Sequence, residues 1–361
     1  MSTVNCQLST VNMNLYPFLF RPNLHTVVWG GHQLQPYKGL PPTDEPVGES
    51  WEVSAVPSST SIISNGPWAG RDLISVVTEH PEAILGRAVN AKYKGQLPLL
   101  VKFIDAQRDL SIQVHPNDEM AQREHGKMGK SEMWYVIKAD PGAHLYAGFK
   151  QAITPHEYKK RIEDGTITDV LADHQVKAGD VFYLPAGRVH AICGGILLAE
   201  VQQSSDVTYR IYDYNRPGLD GKPRELHTEL AAQALDYEVE RNYRTDYPKF
   251  DNRATLIVDS PYFSVRVLEF NDKFHRNLLK YDSFIITMCI EGDCEIRLRP
   301  TVNCKLSTVN LKAGHSVLIP AAIADYDLIP LNGKSRILDA FIDNRPATFA
   351  RQITSLLHIE R

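Results

Sequence analysis

Three short apolar segments of the chain each carry one side chain that can bind a metal ion. Imidazole and carboxylate groups suit Zn²⁺ or another borderline divalent ion, and the amide oxygen of Gln113 is available as a fourth ligand. Such a set leaves a coordination position open for water or substrate, which metal-assisted catalysis requires. The segments and their candidate ligands are Ser111–Asn117 with His115, Lys130–Val136 with Glu132, and Gly179–His190 with His190.

Strand periodicity places these side chains on common faces. Residues two apart on a strand share a face, so Gln113 and His115 point the same way. Lys130, Glu132 and Trp134 share a face of the next segment, which puts a cation beside a carboxylate. A single histidine on a strand is usually structural, and a Glu beside a Lys is usually a solvated pair. The combination of all three segments therefore carries the prediction of a metal site inside a β-barrel.

A series of short motifs runs through the first two thirds of the chain. They are Val28–Gly31, Gly48–Ser54, Leu97–Phe103, Ser111–Asn117, Gly129–Val136, Pro185–Ala191 and Ser205–Arg216. In these motifs and their order the chain resembles the type I mannose-6-phosphate isomerases, in the short bacterial form. The resemblance covers most of residues 13–240 and more loosely the rest. It implies a mainly β fold of two jelly-roll (cupin) barrels with a few peripheral helices, one zinc ion per chain, and interconversion of mannose 6-phosphate and fructose 6-phosphate.

The resemblance also assigns metal ligands, residue by residue. His115, Glu132 and His190 fall where the family has its ligands. Gln113 is the counterpart of a fourth ligand in longer members.

Four further residues match positions of the family's pocket. Arg210 falls where the family has its catalytic arginine, and Glu200 matches an acidic position that lines the pocket. Lys130 and Ser111 lie where contacts to the phosphate or the sugar are expected.

Aldose–ketose isomerisation requires three kinds of group. A group must polarise the carbonyl, another must move a proton between carbons 1 and 2 through an enediol, and a third must hold the phosphate. We expect Arg210 and the metal to stabilise the developing charge. Glu200 and Lys130 are both candidates for proton transfer, and the sequence does not choose between them. The alternative for Arg210 is an ordinary ion pair with Asp206 or Asp213.

Two domains are expected from a length of 361 residues. We predict a catalytic cupin domain at 13–240 and a degenerate second cupin at 241–361. Aligning residues 177–186 with 312–321 matches Gly179 to Gly314, but five residues after the shared proline His190 is replaced by Asp325. The second barrel is therefore expected to hold no metal and to serve packing or pocket support.

Helical segments are predicted at the periphery of the barrels. They are a stretch from Arg71 to Leu85 broken near Pro81, an insert at about 152–173 that rims the pocket, Glu225 to Leu235, and Arg345 to Leu357. Thr154 and Pro155 are suited to begin the insert, because Thr can cap a helix and Pro is tolerated at its first position.

A ten-residue repeat joins two distant parts of the chain. Residues 3–12 recur as 301–310 with nine of ten positions identical, which diverged strands would not show. We interpret the repeat as an inserted element that forms an exposed, dispensable hairpin at about 299–311. Residues 1–12 are expected to be disordered or non-native, with translation starting at Met13. The alternative is that both copies are ordinary strands.

Charge and cysteine content restrict the function and the compartment. A net charge of −4 without a basic run argues against a nucleic-acid partner. Five cysteines without a Cys-x-x-Cys pair indicate a reducing compartment. No segment reads as a signal peptide or a membrane span, so a cytoplasmic monomer or homodimer acting on a small phosphorylated sugar is expected.

Two other function classes are compatible with a cupin. An iron dioxygenase would present His-x-His on its first ligand strand, where this chain has Gln113-Val-His115, and an amide is a poor ligand for redox iron. A non-catalytic phosphosugar-binding cupin would be expected to lose Arg210 or a metal ligand. The residues therefore favour the isomerase over both alternatives.

Overall fold

The computed structural model describes residues 15–299 and 307–345, and strands dominate these ranges. In chain order the strands are β1 (Phe18–Leu19), β2 (Leu24–Gly31), β3 (Val47–Val53), β4 (Leu99–Ala106), β5 (Ile112–Val114), β6 (Glu132–Ala139), β7 (His144–Phe149), β8 (Leu171–Gln175), β9 (Val181–Leu184), β10 (His190–Ile192), β11 (Ile196–Gln203), β12 (Tyr209–Tyr212), β13 (Arg253–Asp259), β14 (Ser264–Phe270), β15 (Phe274–Asn277), β16 (Ile285–Glu291), β17 (Cys294–Leu298), β18 (Thr308–Leu311), β19 (Ser316–Ile319), β20 (Asp325–Pro330) and β21 (Ser335–Phe341). The prediction of a mainly β chain is confirmed.

The strands form four sheets that face each other in pairs. The first barrel pairs a six-stranded sheet, in the order β2-β3-β4-β11-β6-β9, with a five-stranded sheet in the order β12-β5-β10-β7-β8. The second barrel pairs the six-stranded sheet β1-β19-β16-β21-β14-β13 with the four-stranded sheet β15-β20-β17-β18. The short strand β1 crosses from the N-terminal part of the chain into the second barrel, where Phe18 pairs with Leu318.

The two six-stranded sheets pack back to back. On β4 the side chains alternate: Val101 and Phe103 face the core that both barrels share, whereas Ile104 faces the interior of the first barrel. Val265 and Val267 of β14 belong to the same shared core. All eight residues of β4 are buried, as expected for a strand covered on both faces.

Seven short α-helices surround the sheets within the described residues. They are α1 (Leu34–Tyr37), α2 (Leu73–Glu79), α3 (Pro81–Leu85), α4 (Arg87–Tyr93), α5 (Asp118–His125), α6 (Pro155–Glu163) and α7 (Thr228–Ala234). No helix in the described part of the chain has both the length and the apolar character needed to cross a bilayer.

The helix predictions are confirmed for the most part. The predicted break at Pro81 separates α2 from α3, and the Thr154 side chain accepts a hydrogen bond from the amide of Glu157 at the start of α6. The prediction of a helical insert at about 152–173 is wrong at its C-terminal end, because Leu171–Gln175 forms strand β8 and pairs with β7. The stretch predicted from Arg345 to Leu357 lies outside the described residues after its first position.

Only the end of the second copy of the repeat lies within the described residues. Its first copy and residues 301–306 of the second lie outside the described residues. The last residues of the second copy belong to β18, which pairs with β17, and the side chain of Val309 there is buried. The expectation that the whole second copy is exposed is therefore wrong at Val309, because this side chain packs into the barrel.

Candidate active site

His115, Glu132 and His190 come together inside the first barrel. His115 follows β5, Glu132 begins β6 and His190 begins β10. All three are buried, and their candidate ligand atoms lie within 4.8 Å of one another. The carboxylate oxygens of Glu132 are 3.3 Å from Nε2 of each histidine. These three side chains can hold one metal ion.

Backbone hydrogen bonds hold the three ligand segments together. The amide of Gly187, in the turn before His190, donates to the carbonyl of His115 at 2.9 Å. Gly187 has a φ of +93°, a conformation that favours glycine. The amide of Lys130 donates to the carbonyl of Pro116 at 3.0 Å. The spacing of the ligands therefore depends on two loop contacts as well as on the sheets.

Hydrogen bonds also orient both imidazole rings. Nδ1 of His115 lies 2.9 Å from the carbonyl oxygen of Val207, and Nδ1 of His190 lies 2.8 Å from that of Arg188. Because a carbonyl only accepts, each Nδ1 must donate, which leaves the Nε2 lone pair directed at Glu132. Metal-binding histidines commonly have this arrangement.

The charges of the cluster fit a metal ion. Burial lowers the pKa of His115 to about 3, and Lys130 acts in the same direction. Burial also lowers the pKa of His190. Burial alone would raise the pKa of Glu132, but Lys130 and the two histidines outweigh it and hold the pKa well below its usual value. Neutral imidazoles and an ionised carboxylate are the protonation states that a metal requires.

The carboxylate of Glu132 also lacks ordinary partners. Among the described residues, neither of its buried oxygens accepts a hydrogen bond of good geometry, although Lys130 Nζ lies 3.0 Å away. Buried carboxylate oxygens without hydrogen bonds are costly in a folded protein, and a bound cation would satisfy them. The residues present therefore fit a divalent metal.

Gln113 and Lys130 complete the surroundings of the cluster. The amide nitrogen of Gln113 lies 3.4 Å from Nε2 of His190, and a half-turn of the amide would present its oxygen to the same space. Lys130 Nζ lies 3.1 Å from Nε2 of His115. Lys130 Nζ therefore lies beside two of the three candidate metal ligands.

Glu200 lies one strand from the cluster, in the middle of β11. Its carboxylate accepts a hydrogen bond of 2.9 Å from the indole Nε1 of Trp134, whose ring lies edge-on to His190 at 5.3 Å. Burial raises the pKa of Glu200, and the negative charge of Glu132 raises it further. A buried carboxyl with a raised pKa is suited to proton transfer near neutral pH.

A buried lysine that sequence reasoning did not single out lies next to Glu200. Lys102 Nζ is 3.4 Å from Glu200 and 3.8 Å from Glu49, and it lies over the ring of Trp51 at 4.9 Å. Burial alone would lower the pKa of Lys102, but the two carboxylates outweigh it and raise the pKa. The signal in the sequence was a charged side chain within the mainly apolar segment Leu99–Ala106, which also contains Asp105.

Arg210 lies on β12 directly opposite Gln113 of β5. Its side chain is half-buried, Nη1 donates to the carbonyl of Glu225 at 2.8 Å, and burial lowers its pKa. The ion pair with Asp206 or Asp213 is not the arrangement found. Asp206 pairs with the exposed Lys127, and Asp213 binds Arg216 and Arg224.

Ser111, the remaining predicted contact, is buried immediately before β5. It is two residues before Gln113, so strand alternation places both side chains on the face that carries His115. Its contact with substrate stays a prediction.

Comparisons with known proteins identify the family of the chain. A family model described as the catalytic domain of type I phosphomannose isomerase matches residues 18–135. A probable mannose-6-phosphate isomerase of Bacillus subtilis, GmuF, is 39% identical over 253 residues, which cover 69% of this chain and 78% of the relative. The mannose-6-phosphate isomerase ManA of the same organism is 33% identical over 319 residues, or 88% of this chain and 96% of the relative. The chain belongs to the type I mannose-6-phosphate isomerases.

A solved structure of this family shares the fold. The crystal structure of the mannose 6-phosphate isomerase from Bacillus subtilis matches with a TM-score of 0.79 and 31% identity, over 90% of this chain and 99% of that one. Type I family membership and the two-barrel cupin fold, both expected from the motifs, are thereby confirmed.

Proposed function

We propose that this chain interconverts mannose 6-phosphate and fructose 6-phosphate through an enediol, at the site formed by His115, Glu132 and His190. Membership of the type I family supports the reaction. The observation that carries the proposal is the buried cluster in which two oriented Nε2 atoms face a carboxylate whose oxygens accept no hydrogen bond of good geometry from the described residues. A site of this kind is built to bind a cation.

The proposed cofactor is one zinc ion per chain. His115, Glu132 and His190 would hold it, with Gln113 as a fourth ligand. Two imidazoles, a carboxylate and an amide suit a borderline divalent ion. When bound, the ion would act as a Lewis acid that stabilises negative charge developing on the sugar oxygens.

We assign proton transfer between carbons 1 and 2 to Glu200. Burial raises its pKa, and the hydrogen bond from Trp134 fixes its orientation. Lys102 holds a positive charge 3.4 Å from its carboxylate, which stabilises the ionised form needed to accept a proton. Lys130 remains the second candidate, because it lies beside the ligand atoms at the reacting end of the site.

Arg210 and its surroundings are proposed to bind negative charge on the substrate. The guanidinium groups of Arg216 and Arg224 both bind the buried carboxylate of Asp213, and their positive charges act on the nearby guanidinium of Arg210, which has no ion pair of its own with Asp213 in the described structure. This excess of positive charge supports a site for an anion such as the sugar phosphate. The hydroxyl of Ser111 is the further proposed contact to the substrate.

The test is a coupled assay of mannose 6-phosphate conversion on purified protein. Activity is measured as purified, after chelation, and after return of zinc, with His190→Ala alongside. His156→Ala is the matched control, since His156 is an exposed residue of α6. We expect zinc-dependent activity that is lost in His190→Ala and kept in His156→Ala.

Two results would contradict the proposal. Absence of turnover in protein that binds zinc stoichiometrically would leave a metal-binding cupin without this activity. Turnover that survives both chelation and His190→Ala would remove the metal from the reaction.

Cytoplasmic residence is also part of the proposal. Cys193, Cys289 and Cys294 are free thiols in the described structure, as expected in a reducing compartment. The expected choice between monomer and homodimer stays a prediction.

A further inference from the structure

His227 connects the strand that carries Arg210 to the helix that follows. It is the residue immediately before α7, and its carbonyl accepts a hydrogen bond of 2.8 Å from the amide of Ala231. Its imidazole makes no cap to its own helix. Instead the ring points back to the strand, where Nδ1 accepts a hydrogen bond of 3.1 Å from the backbone amide of Arg210.

The contact between these two residues is reciprocal. The backbone amide of His227 donates to the carbonyl of Arg210 at 2.7 Å, so both main-chain polar groups of Arg210 are bound by one residue. β12 is the edge strand of its sheet, with β5 on one side. His227 therefore supplies the hydrogen bonds that a further strand would otherwise provide at Arg210.

The hydrogen bond from Arg210 has a chemical requirement. An imidazole nitrogen can accept a hydrogen bond only while it carries a lone pair, and a protonated imidazole donates from both nitrogens. The neutral ring of His227 can hold the Arg210 amide, whereas the charged ring would place one N–H group against another.

We propose that His227 is a positioning residue: its neutral imidazole fixes the backbone of Arg210, and protonation of the ring releases it. The proposal rests on the proposed function, in which the guanidinium of Arg210 stabilises charge on the substrate. Fixing the backbone at the base of a long side chain restricts the positions that its guanidinium can reach. His227 thereby acts on catalysis through Arg210 without contact to substrate.

The surroundings of His227 keep the ring neutral at neutral pH. Burial lowers its pKa, Glu225 opposes this, and Arg210 and His125 act in the same direction as burial. The charged and titratable groups on the packed elements are His125 of α5, Tyr209 and Arg210 of β12, Glu225 of the preceding loop, Glu229 of α7, and Tyr158 and Lys159 of α6. Lys159 and Glu229 pair with each other, so their charges largely cancel at His227.

Two substitutions of His227 distinguish its role as a hydrogen-bond acceptor from its ability to take up a proton. In His227→Asn the side-chain oxygen stands near the place of Nδ1 and cannot be protonated in the working range, whereas His227→Leu has no acceptor. His125→Asn is the matched control, because His125 binds the hydroxyl of Tyr209 and not the backbone of Arg210.

At pH 8 we expect His227→Asn to retain kcat/KM within about twofold, and His227→Leu to lose roughly fivefold, mainly in kcat, for the loss of one hydrogen bond. The ratio of kcat/KM in His227→Asn to that in the wild type should rise as the pH falls from 8 to 5. Titration of the substrate phosphate and of the metal ligands is common to both proteins and cancels in this ratio. The His125→Asn ratio should not rise.

Hydrogen exchange at the Arg210 amide gives a readout that does not require turnover. We expect protection at pH 7.5 in the wild type and in His227→Asn, and faster exchange in His227→Leu. If the wild type lacks isomerase activity, the proposed function fails while exchange still tests the contact. A flat ratio for His227→Asn between pH 8 and 5, or wild-type kcat/KM in a folded His227→Leu, would overturn the role of His227. Should His227→Leu fail to fold, the ratio for His227→Asn decides alone.

Discussion

The two barrels have the same pairing of polar residues across three neighbouring strands, but they differ in what their buried charged groups contact. In each, three neighbouring strands carry a polar row directed into the barrel: a cation, a carboxylate and a hydrogen-bond donor that contacts the carboxylate. The rows are Lys102, Glu200 and Trp134 on β4, β11 and β6, and Arg266, Asp339 and Thr287 on β14, β21 and β16.

At the ligand positions the two barrels differ. Glu132 pairs with Leu184 and Ile285 pairs with Ile319. Leu184 precedes Pro185 and Ile319 precedes Pro320, and these are the two prolines that the alignment matches. Ile285 therefore occupies the position that Glu132 has in the first barrel. The same alignment also places Asp325 where the first barrel has its second histidine.

The carboxylate of the second barrel's polar row is satisfied from within. Asp339 accepts hydrogen bonds of 2.6 Å from the hydroxyl of Thr287 and from the guanidinium of Arg276. In the first barrel the oxygens of Glu132 accept no hydrogen bond of good geometry from the described residues, although Lys130 Nζ lies 3.0 Å away. A buried carboxylate that accepts hydrogen bonds from neighbouring side chains contributes to specific packing. Side chains that instead direct ligand atoms at a common point can bind a cation.

The most severe test converts the first barrel toward the second. Glu132→Ile should abolish metal binding and reduce kcat/KM by about 10³-fold or more, since a metal ligand and the charge stabilisation it supports are both lost. Metal analysis of the purified variant, together with the coupled assay, measures this. A variant that keeps one metal ion per chain would contradict the assigned ligand set.

Glu132→Ile also deprives Lys130 of its carboxylate. Removal of one partner of a buried pair costs about 3–5 kcal/mol, whereas replacing both with apolar groups can be neutral. The double variant Glu132→Ile, Lys130→Met should therefore be more stable to urea than Glu132→Ile alone.

A smaller loss is expected at the proposed base. Glu200→Gln should lower kcat by about 10²–10⁴-fold, the usual contribution of a general base, while metal content stays unchanged. The corresponding variant of the second barrel, Asp339→Asn, is the control and should keep kcat per folded molecule. Unchanged kcat in Glu200→Gln would transfer the assignment to Lys130.

The second barrel should respond in stability instead. Asp339→Ala removes the carboxylate that Arg276 contacts in a buried site, at a cost of about 3–5 kcal/mol. Asp325→Ala removes a more exposed ion-pair partner of His275 and should cost no more than about 1 kcal/mol. Urea unfolding measures both, and equal costs would show that burial of the pair does not matter.

The last test concerns pH and the metal-free protein. His115 has a pKa of about 3 in the fold, below its ordinary value of 6.5, so the unfolded chain binds a proton first as the pH falls. Stability from this neutral ring is present above pH 6.5 and is lost below it, by about 1.4 kcal/mol per pH unit once the pH is well below 6.5. Urea unfolding of metal-free wild type and His115→Gln measures it, and identical slopes below pH 6.5 would refute it.

The cluster of the three candidate ligands could be predicted from the sequence because each residue has a local signal. His115 lies at a strand end before Pro116, Glu132 alternates with apolar residues, and His190 follows a turn whose glycine needs a positive φ. The family motifs then joined the three segments.

Other parts of the site had no local signal. Glu49 and Lys102 acquire their meaning only because β4 lies between β3 and β11, a pairing between segments about 50 and 100 residues apart. The two hydrogen bonds between His227 and the backbone of Arg210 depend in the same way on the packing of α7 against the edge strand β12. Short helices such as α1 and α4 were not predicted, since a few residues give too little periodicity.

The back-to-back packing of the six-stranded sheets makes the two halves dependent on each other for folding. A fragment ending near residue 240 would expose the face that carries Val101, Phe103 and Met133, and would leave Phe18 of β1 without the strand it pairs with. Such a fragment holds every proposed metal ligand, yet we expect it to aggregate rather than bind metal. The part of the chain without ligands thus determines whether the ligands can assemble at all.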